Sequence, residues 1–489
     1  MNKSPCSRRD FMRKIAVGVS LAGNSSVALG AVQQQSHSEQ PNILLAISDN
    51  QSWCHCGFMG DDVVLTPAAD LIAQRGMTFD QSYVPCPSCT PSRSAILTGQ
   101  DIYRLEEAGL LWGGFPAKLP IYTDLLQQAG YHIGYTGKGW GPGNWSQHGR
   151  HSDPVGTAYN RIRHGESPQN CSRTDYAANF QTFLEDRNPK QPFCFWFGAQ
   201  EPHRPYRNGH GKNSGKRPED VALPAFLPDN DVIRGDFLDY YMEIEWFDKH
   251  LMRMLELLEE SGELDNTIVI VTSDNGIQMP RGIATLYDYG VRVPMAISWG
   301  DRINQGSRTN AFVNLTDLAP TFLDAAGIPV PKQMTGRSLM SLLTTGKDDN
   351  ARDYVVTAIE RHADCRPNKA GYPSRAIRTH DYLYIRNYEP ERWPAGNPDY
   401  KAVAQGYYGD VDRSPTKTWM LEHASNPDVR QKFKLCFGKR PAEELYFIPT
   451  DPDQIHNVIN RPQHKEKGIA LAKRLEIILK ETADPRVSG

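Results

Sequence analysis

Apolar residues along the chain fall into short solid runs separated by helical stripes. Ile43-Leu44-Leu45-Ala46-Ile47, opened by Pro41-Asn42, has the length and density of a fully buried strand and ends in Ser48-Asp49-Asn50. Thr66-Pro67 predicts a helix start, with Thr66 as N-cap and proline at the first helical position, and Gly76 predicts its stop. A helix is expected over 125–129, and strands over 131–135 and 193–197. Phe237, Tyr241, Ile244, Phe247, Leu251, Met254 and Leu258 make one helical face, closed by Gly262. Further strands are read over 267–271 and 293–299. Strands alternating with helices predict an α/β fold, a parallel sheet covered on both faces, over residues 41–345.

The texture changes after residue 345. Gly346 to Asn350 reads as a linker, 375–387 alternates like an exposed antiparallel strand, and an aromatic, proline-rich loop follows over 388–408. A last helix is expected over 462–482, with Ile469, Leu471, Ala472, Leu475 and Leu479 on one side. Residues 346–489 are therefore read as a smaller C-terminal α+β subdomain. At the other end, Arg8-Arg9 and Phe11 precede a modest apolar stretch (15–23) and small residues near 28–31. This pattern predicts a twin-arginine signal peptide over 1–31, followed by a polar linker over 32–40. It implies passage through the twin-arginine translocase to the periplasm or beyond, already folded. A basic tail beside a chance apolar patch is the plainer reading of the same residues.

Composition narrows the classes. With 39% hydrophobic and 23% charged residues, a substantial core is possible and global disorder is excluded. A net charge of −3 leaves no electrostatic footprint for nucleic acid. No apolar run reaches the roughly 20 residues of a membrane span. Nine cysteines are too few for a disulfide scaffold.

The strand ends carry the candidate chemistry. The expected strands run into Asp49-Asn50, Gly137-Lys138, Gln200-Glu201-Pro202-His203 and Ser273-Asp274-Asn275-Gly276. In parallel α/β sheets ligands bind at strand carboxyl ends. Asp49, Asn50, Asp274 and Asn275 are hard oxygen donors that suit calcium or magnesium. Each pair taken alone also reads as an ordinary turn.

Residues 89–93 read Cys-Thr-Pro-Ser-Arg, with Leu97-Thr98-Gly99 behind them. This segment resembles the signature of the formylglycine-dependent sulfatases of the alkaline phosphatase superfamily, in which a separate maturase oxidises the cysteine of Cys-x-Pro-x-Arg to an aldehyde. The likeness extends over nearly the whole chain after the signal: Pro41 to Leu44, Thr272 to Gly276, Leu286 to Pro294, Thr335 to Leu339, and Glu444-Leu445-Tyr446 with Asp451-Pro452. Glu201-Pro202-His203-Arg204 and Thr335 to Leu339 most resemble the heparan N-sulfatase (sulfamidase) branch.

The resemblance implies a large mixed, mostly parallel sheet sandwiched by helices, with an antiparallel sheet in the smaller C-terminal part. It implies hydrolysis of a sulfate ester or sulfamate on a sulfated carbohydrate such as a glycosaminoglycan. The nucleophile would be a hydrated formylglycine at position 89, whose second hydroxyl expels sulfate as the aldehyde re-forms. Asp49, Asn50, Asp274, Asn275 and the residue-89 oxygen would hold a divalent cation, calcium by the resemblance. Arg93 would stabilise the diol, Lys138 would bind sulfate, and His203 would protonate the leaving group.

Three positions depart from the family pattern. Asn50 stands where an aspartate is usual. Lys138-Gly139-Trp140 replaces Lys-x-His, and the lysine ahead of the Tyr-acidic motif falls on Ile283. His55 and Arg281 are candidate replacements, and His362 and Arg378 are candidate substrate contacts from the C-terminal part. Tyr388, Arg392, Trp393 and Tyr400 are candidate sugar-stacking residues or simply an ordered loop. Two other readings stay open: a phosphodiester or phosphonate hydrolase of the same fold, and a catalytically weakened glycan-binding homologue.

Overall fold

The computed structural model describes residues 40–166, 171–348, 352–400 and 406–488. The expected signal peptide and linker lie outside the described residues. Gln40–Gly489 forms one compact unit.

Among the described residues, twelve strands build two sheets. The first holds β1 (Asn42–Ser48), β2 (Met77–Tyr83), β3 (His132–Gly137), β4 (Thr157–Ala158), β5 (Phe193–Gly198), β6 (Thr267–Ser273), β7 (Ala296–Ser298) and β8 (Ser307–Asn314). Their order is β4-β3-β5-β1-β6-β7-β2-β8, parallel throughout except for β7, which runs antiparallel to both neighbours. β1 shows why its run is solidly apolar. Ile43, Leu45 and Ile47 face one core cluster, while Leu44 and Ala46 face another on the opposite side. A strand buried on both faces shows no alternation.

The long helix Asp231–Glu260 covers one face, through Phe247, Leu251, Met254 and Leu258. It starts six residues before the expected Phe237, because the Asn230 side chain accepts from the Val232 and Ile233 N–H groups at 3.0 and 3.1 Å. The helix Pro67–Arg75 lies where expected, but Thr66 does not cap it. The Thr66 hydroxyl instead accepts from the Gly57 N–H at 2.8 Å. The Asp248 carboxylate, from the long helix, takes the Ala68 and Ala69 N–H groups, each at 2.9 Å.

The second sheet is antiparallel, in the order β12 (Glu443–Phe447), β11 (Tyr382–Asn387), β10 (Ser374–Thr379), β9 (Tyr354–Ile359). Residues 375–387 are thus a hairpin rather than one exposed strand. Its residues are largely buried, with Ala376, Leu383 and Ile385 joining the core of the large sheet. Its other face packs Ile377 and Tyr384 on Leu471, Leu475 and Leu479 of the helix Lys465–Glu481. Ile469, expected on that side, is exposed.

Candidate active site

Strands β3, β5, β1 and β6 are neighbours running in parallel, so their carboxyl ends open on one rim. Ser48 is in register with Ser273, which sets the Asp49-Asn50 and Asp274-Asn275 turns side by side. Gly137 is in register with Gly198, which brings Lys138 to the turn carrying Glu201 and His203. The backbone ties the rim together: Asp49 N–H donates to the Glu201 carbonyl at 2.9 Å, and Asp274 N–H to that of Ser48 at 3.1 Å.

The helix Cys89–Thr98 points its first residue at this rim. Cys89 Sγ lies 3.5 Å from Asp49 Oδ1. One turn on, Arg93 Nε donates to Asp274 Oδ2 at 2.7 Å, and its Nη1 donates to the carbonyls of Lys138 and Gly139 at 3.1 and 3.0 Å. Lys138 Nζ is bonded to Asp49 Oδ2 and stands 3.9 Å from Asp274 Oδ2. Two carboxylates and two cations therefore compensate one another out of water, as buried charges require. Burial alone raises the Asp49 carboxyl, but Lys138, His203 and Arg93 outweigh it and hold it down at about 2. Burial and the Asp49 charge push Asp274 up. The same two causes push the Cys89 thiol well above its ordinary range, so the unmodified side chain is a neutral thiol.

These residues fit a hard divalent cation. Asp49, Cys89 and Asp274 offer ligand atoms that all lie within 4.8 Å of one another. Asn275 Oδ1 and Asn50 Nδ2 are buried without a hydrogen-bond partner among the described residues, while Asn275 Nδ2 donates to Asn50 Oδ1. Turning an amide presents its other atom to the same point. Asn50 adopts φ 77°, a left-handed conformation that asparagine takes more readily than most residues.

The rim opens into a cavity of about 570 Å³, within the usual range for a ligand site. Asp49, Cys89, Lys138, His203 and His362 line it. Asn50, Arg93, Asp274 and Asn275 are fully buried around Asp49 and Lys138. The His203 Nδ1–H donates to the Arg204 carbonyl at 2.7 Å, which leaves Nε2 as the ring nitrogen without a protein bond. His362 Nδ1 meets Ser88 Oγ at 2.8 Å.

Three expected residues do not line this cavity. His55 is enclosed by the rings of Phe237, Tyr240 and Tyr241, with Nδ1 3.4 Å from Asp61 Oδ2. Arg281 is fully buried and donates to the Leu435 carbonyl at 2.7 Å and to that of Gln454, with its guanidinium over Tyr287. Arg378 makes two 3.2 Å bonds to Asp288. In each case the polar group is turned to partners inside the protein rather than to this cavity, with only Arg281 Nε left without a partner among the described residues. Arg392 and Trp393 line a different cavity, and Tyr388 sits among the cations of Arg375, Arg386 and Arg486.

Trp140 forms part of the cavity wall, with Nε1 donating to Ser94 Oγ at 2.7 Å and its ring edge-on to Phe115. Ile283 is buried and takes no part in the lining. Trp112 and Glu243, not singled out from sequence, and Glu201, noted only as part of a strand end, also line the cavity. Glu243 carried a signal: it stands four residues before Phe247, so a carboxylate lies against the buried stripe of its helix.

Comparison with known proteins agrees with this architecture. The sulfatase family model matches residues 41–328, and that of the N-sulphoglucosamine sulphohydrolase C-terminal region matches 284–395. The chain belongs to the sulfatase family and is an enzyme of that class. It is 29% identical over 456 residues to an ulvan-active sulfatase of Formosa agariphila, covering 91% of this chain and 81% of the relative. It is 26% identical over 494 residues to human N-sulphoglucosamine sulphohydrolase, covering 91% of each. Among solved structures, one in complex with its substrate D-glucosamine-2-N,6-O-disulfate aligns with a TM-score of 0.66 at 20% identity, over 91% of this chain and 98% of that one.

Proposed function

We propose that this sulfatase removes a sulfate ester or sulfamate group from a sulfated glycan, and that it does so at Cys89 after conversion to formylglycine by a separate maturase. The observation that carries the reading is the position of Cys89. It opens a helix inside a Cys-x-Pro-x-Arg segment, and its sulfur shares one point with Asp49 and Asp274. An aldehyde there supplies a hydrated, doubly hydroxylated nucleophile. Asp49, Asn50, Asp274, Asn275 and the residue-89 oxygen would hold a divalent cation, calcium, which lowers the pKa of a bound hydroxyl and offsets anionic charge.

The chain's own groups divide the remaining work. Lys138 meets the sulfate oxygens from the cavity wall. Arg93, fixed by Asp274, holds position 89 in place, and the first turn of its helix offers amide groups to an anion. His203 is oriented through Nδ1, so Nε2 can deliver a proton to the departing sugar oxygen or nitrogen. Trp140 keeps water from one side of the site.

Glycan substrates are supported by the named relatives, of which one acts on ulvan and one on N-sulphoglucosamine. Export by the twin-arginine route, to the periplasm or beyond, rests on Arg8-Arg9 and the stretch that follows. No described helix is long and apolar enough to cross a membrane. Turnover of matched sulfate and phosphate esters tests the reading: sulfate is preferred under it, and a phosphate preference would make the protein a phosphohydrolase of the same fold.

A further inference from the structure

Glu201 and Glu243 line the same cavity as Cys89 and Lys138, although an anionic substrate gains nothing from a carboxylate. The two glutamates differ in how they are held. Glu201 is satisfied on both oxygens: Ser172 N–H donates to Oε1 at 2.5 Å and the Tyr176 hydroxyl to Oε2 at 2.8 Å. Glu243, on the long helix, is 98% buried, and its Oε1 has no hydrogen-bond partner among the described residues. Cys171 completes the cluster, with all three ligand-type atoms within 4.8 Å of one another. The cation nearest in sequence to His203, Arg204, is already matched by two 2.8 Å bonds to Asp236. A buried carboxyl oxygen without a partner is costly, and a ligand in the cavity that Glu243 lines can relieve it once the side chain turns that oxygen toward it.

We propose that Glu243 is a specificity-determining residue: it bonds a hydroxyl or amine of the sugar that carries the scissile sulfate, and it excludes a second sulfate or a carboxylate from that position. The inference rests on the sulfatase reading and deepens it. The Glu201 backbone reaches Asp49, so Glu201 belongs to the turn that also carries His203, and Glu243 meets it from the long helix. A sugar with its sulfate on Lys138 extends from there into a cavity large enough for one or two rings. A donor on the ring completes Glu243 Oε1. An anionic substituent meets the Glu201 and Glu243 carboxylates at close range, where like charges repel. Burial and the neighbouring Glu201 charge push the Glu243 carboxyl up to about 8, so it carries the charge that excludes an anion only above that pH.

The test measures binding by calorimetry at pH 9, where Glu243 is charged, in the Cys89→Ala protein, so that turnover plays no part. The probes are N-sulfoglucosamine, glucosamine 6-sulfate and glucosamine 2-N,6-O-disulfate. The better-bound monosulfated sugar is expected to exceed the disulfate by at least tenfold, and Glu243→Gln, which keeps shape and removes charge, to shrink that ratio to threefold or less. Glu243→Ala should weaken the monosulfated sugar about tenfold while leaving disulfate binding level. A merely structural role would weaken all three sugars alike. No preference in the parent protein, or a preference unchanged by Glu243→Gln, overturns the inference. A preference that survives in a protein without sulfate release refutes the catalytic reading alone.

Discussion

Arg93 Nε stands 2.7 Å from Asp274 Oδ2, and both side chains are shut off from solvent. This pair joins the nucleophile's helix to the end of β6. It sets the distance between position 89 and the acidic turns. Removing one partner leaves the other charged and buried, so Arg93→Ala should cost ~3–5 kcal/mol of stability as well as activity. Thermal or denaturant unfolding checks the first effect, and a variant as stable as the parent would mean that the pair does not tie the site together.

Divalent cation should stabilise the protein. If Asp49, Asn50, Asp274 and Asn275 hold calcium, then calcium at about 100 times its dissociation constant adds about 2.7 kcal/mol to the folded state. Chelation should lower the melting temperature of the parent and leave that of an Asp49→Ala, Asp274→Ala double variant unmoved. An equal response in both proteins would place the cation elsewhere.

Ile283→Lys should not restore a family lysine. Ile283 is buried and outside the cavity, so the new ammonium has no partner and no route to sulfate. The variant should lose stability by several kcal/mol, in the manner of an unpaired buried charge. A folded variant with raised sulfate release would show that this segment reaches the site.

Stability should also respond to Glu243. Burial and the charges of Glu201 and Asp239 raise its folded pKa to about 8 from an ordinary 4.5, partly offset by a bond from Cys171. The folded state then binds the proton more tightly, so this group's contribution falls as pH rises from about 4.5 to about 8. Glu243→Gln should flatten that decline in melting temperature. An unchanged pH profile would mean that the carboxyl does not titrate there.

What the chain announces and what it conceals follow from where partners come from. β1 and β6 are solid apolar runs because both faces are covered, and their Asp-Asn ends are legible for the same reason. The Cys89 to Arg93 segment is equally plain, since its chemistry lies in consecutive residues. Tertiary partners are not legible. Asp248 capping a helix 180 residues away, and Arg281 and Arg378 bonded to distant carbonyls and a carboxylate, have no local signature. The alternation at 375–387 looked exposed because the helix Lys465–Glu481 that covers it comes much later in the chain.

His203 provides a further check on the division of labour. With Nδ1 fixed on the Arg204 carbonyl, His203→Ala should lower sulfate release by ~10²–10⁴-fold while the fold and melting temperature stay close to the parent's. The loss should shrink for aryl sulfates, whose leaving group needs no proton. An equal loss on sugar and aryl substrates would remove His203 from the acid role.

The proposed reaction turns on position 89 performing the chemistry. The most direct measurement is inorganic sulfate release from N-sulfoglucosamine, O-sulfated sugars and an aryl sulfate, using protein co-expressed with a formylglycine-generating maturase. Mass spectrometry of the peptide containing residue 89 accompanies it, with Cys89→Ala as control. An aldehyde at residue 89 and release that the control lacks are expected. Equal release by Cys89→Ala, or silence on every substrate from fully converted protein, would contradict that role.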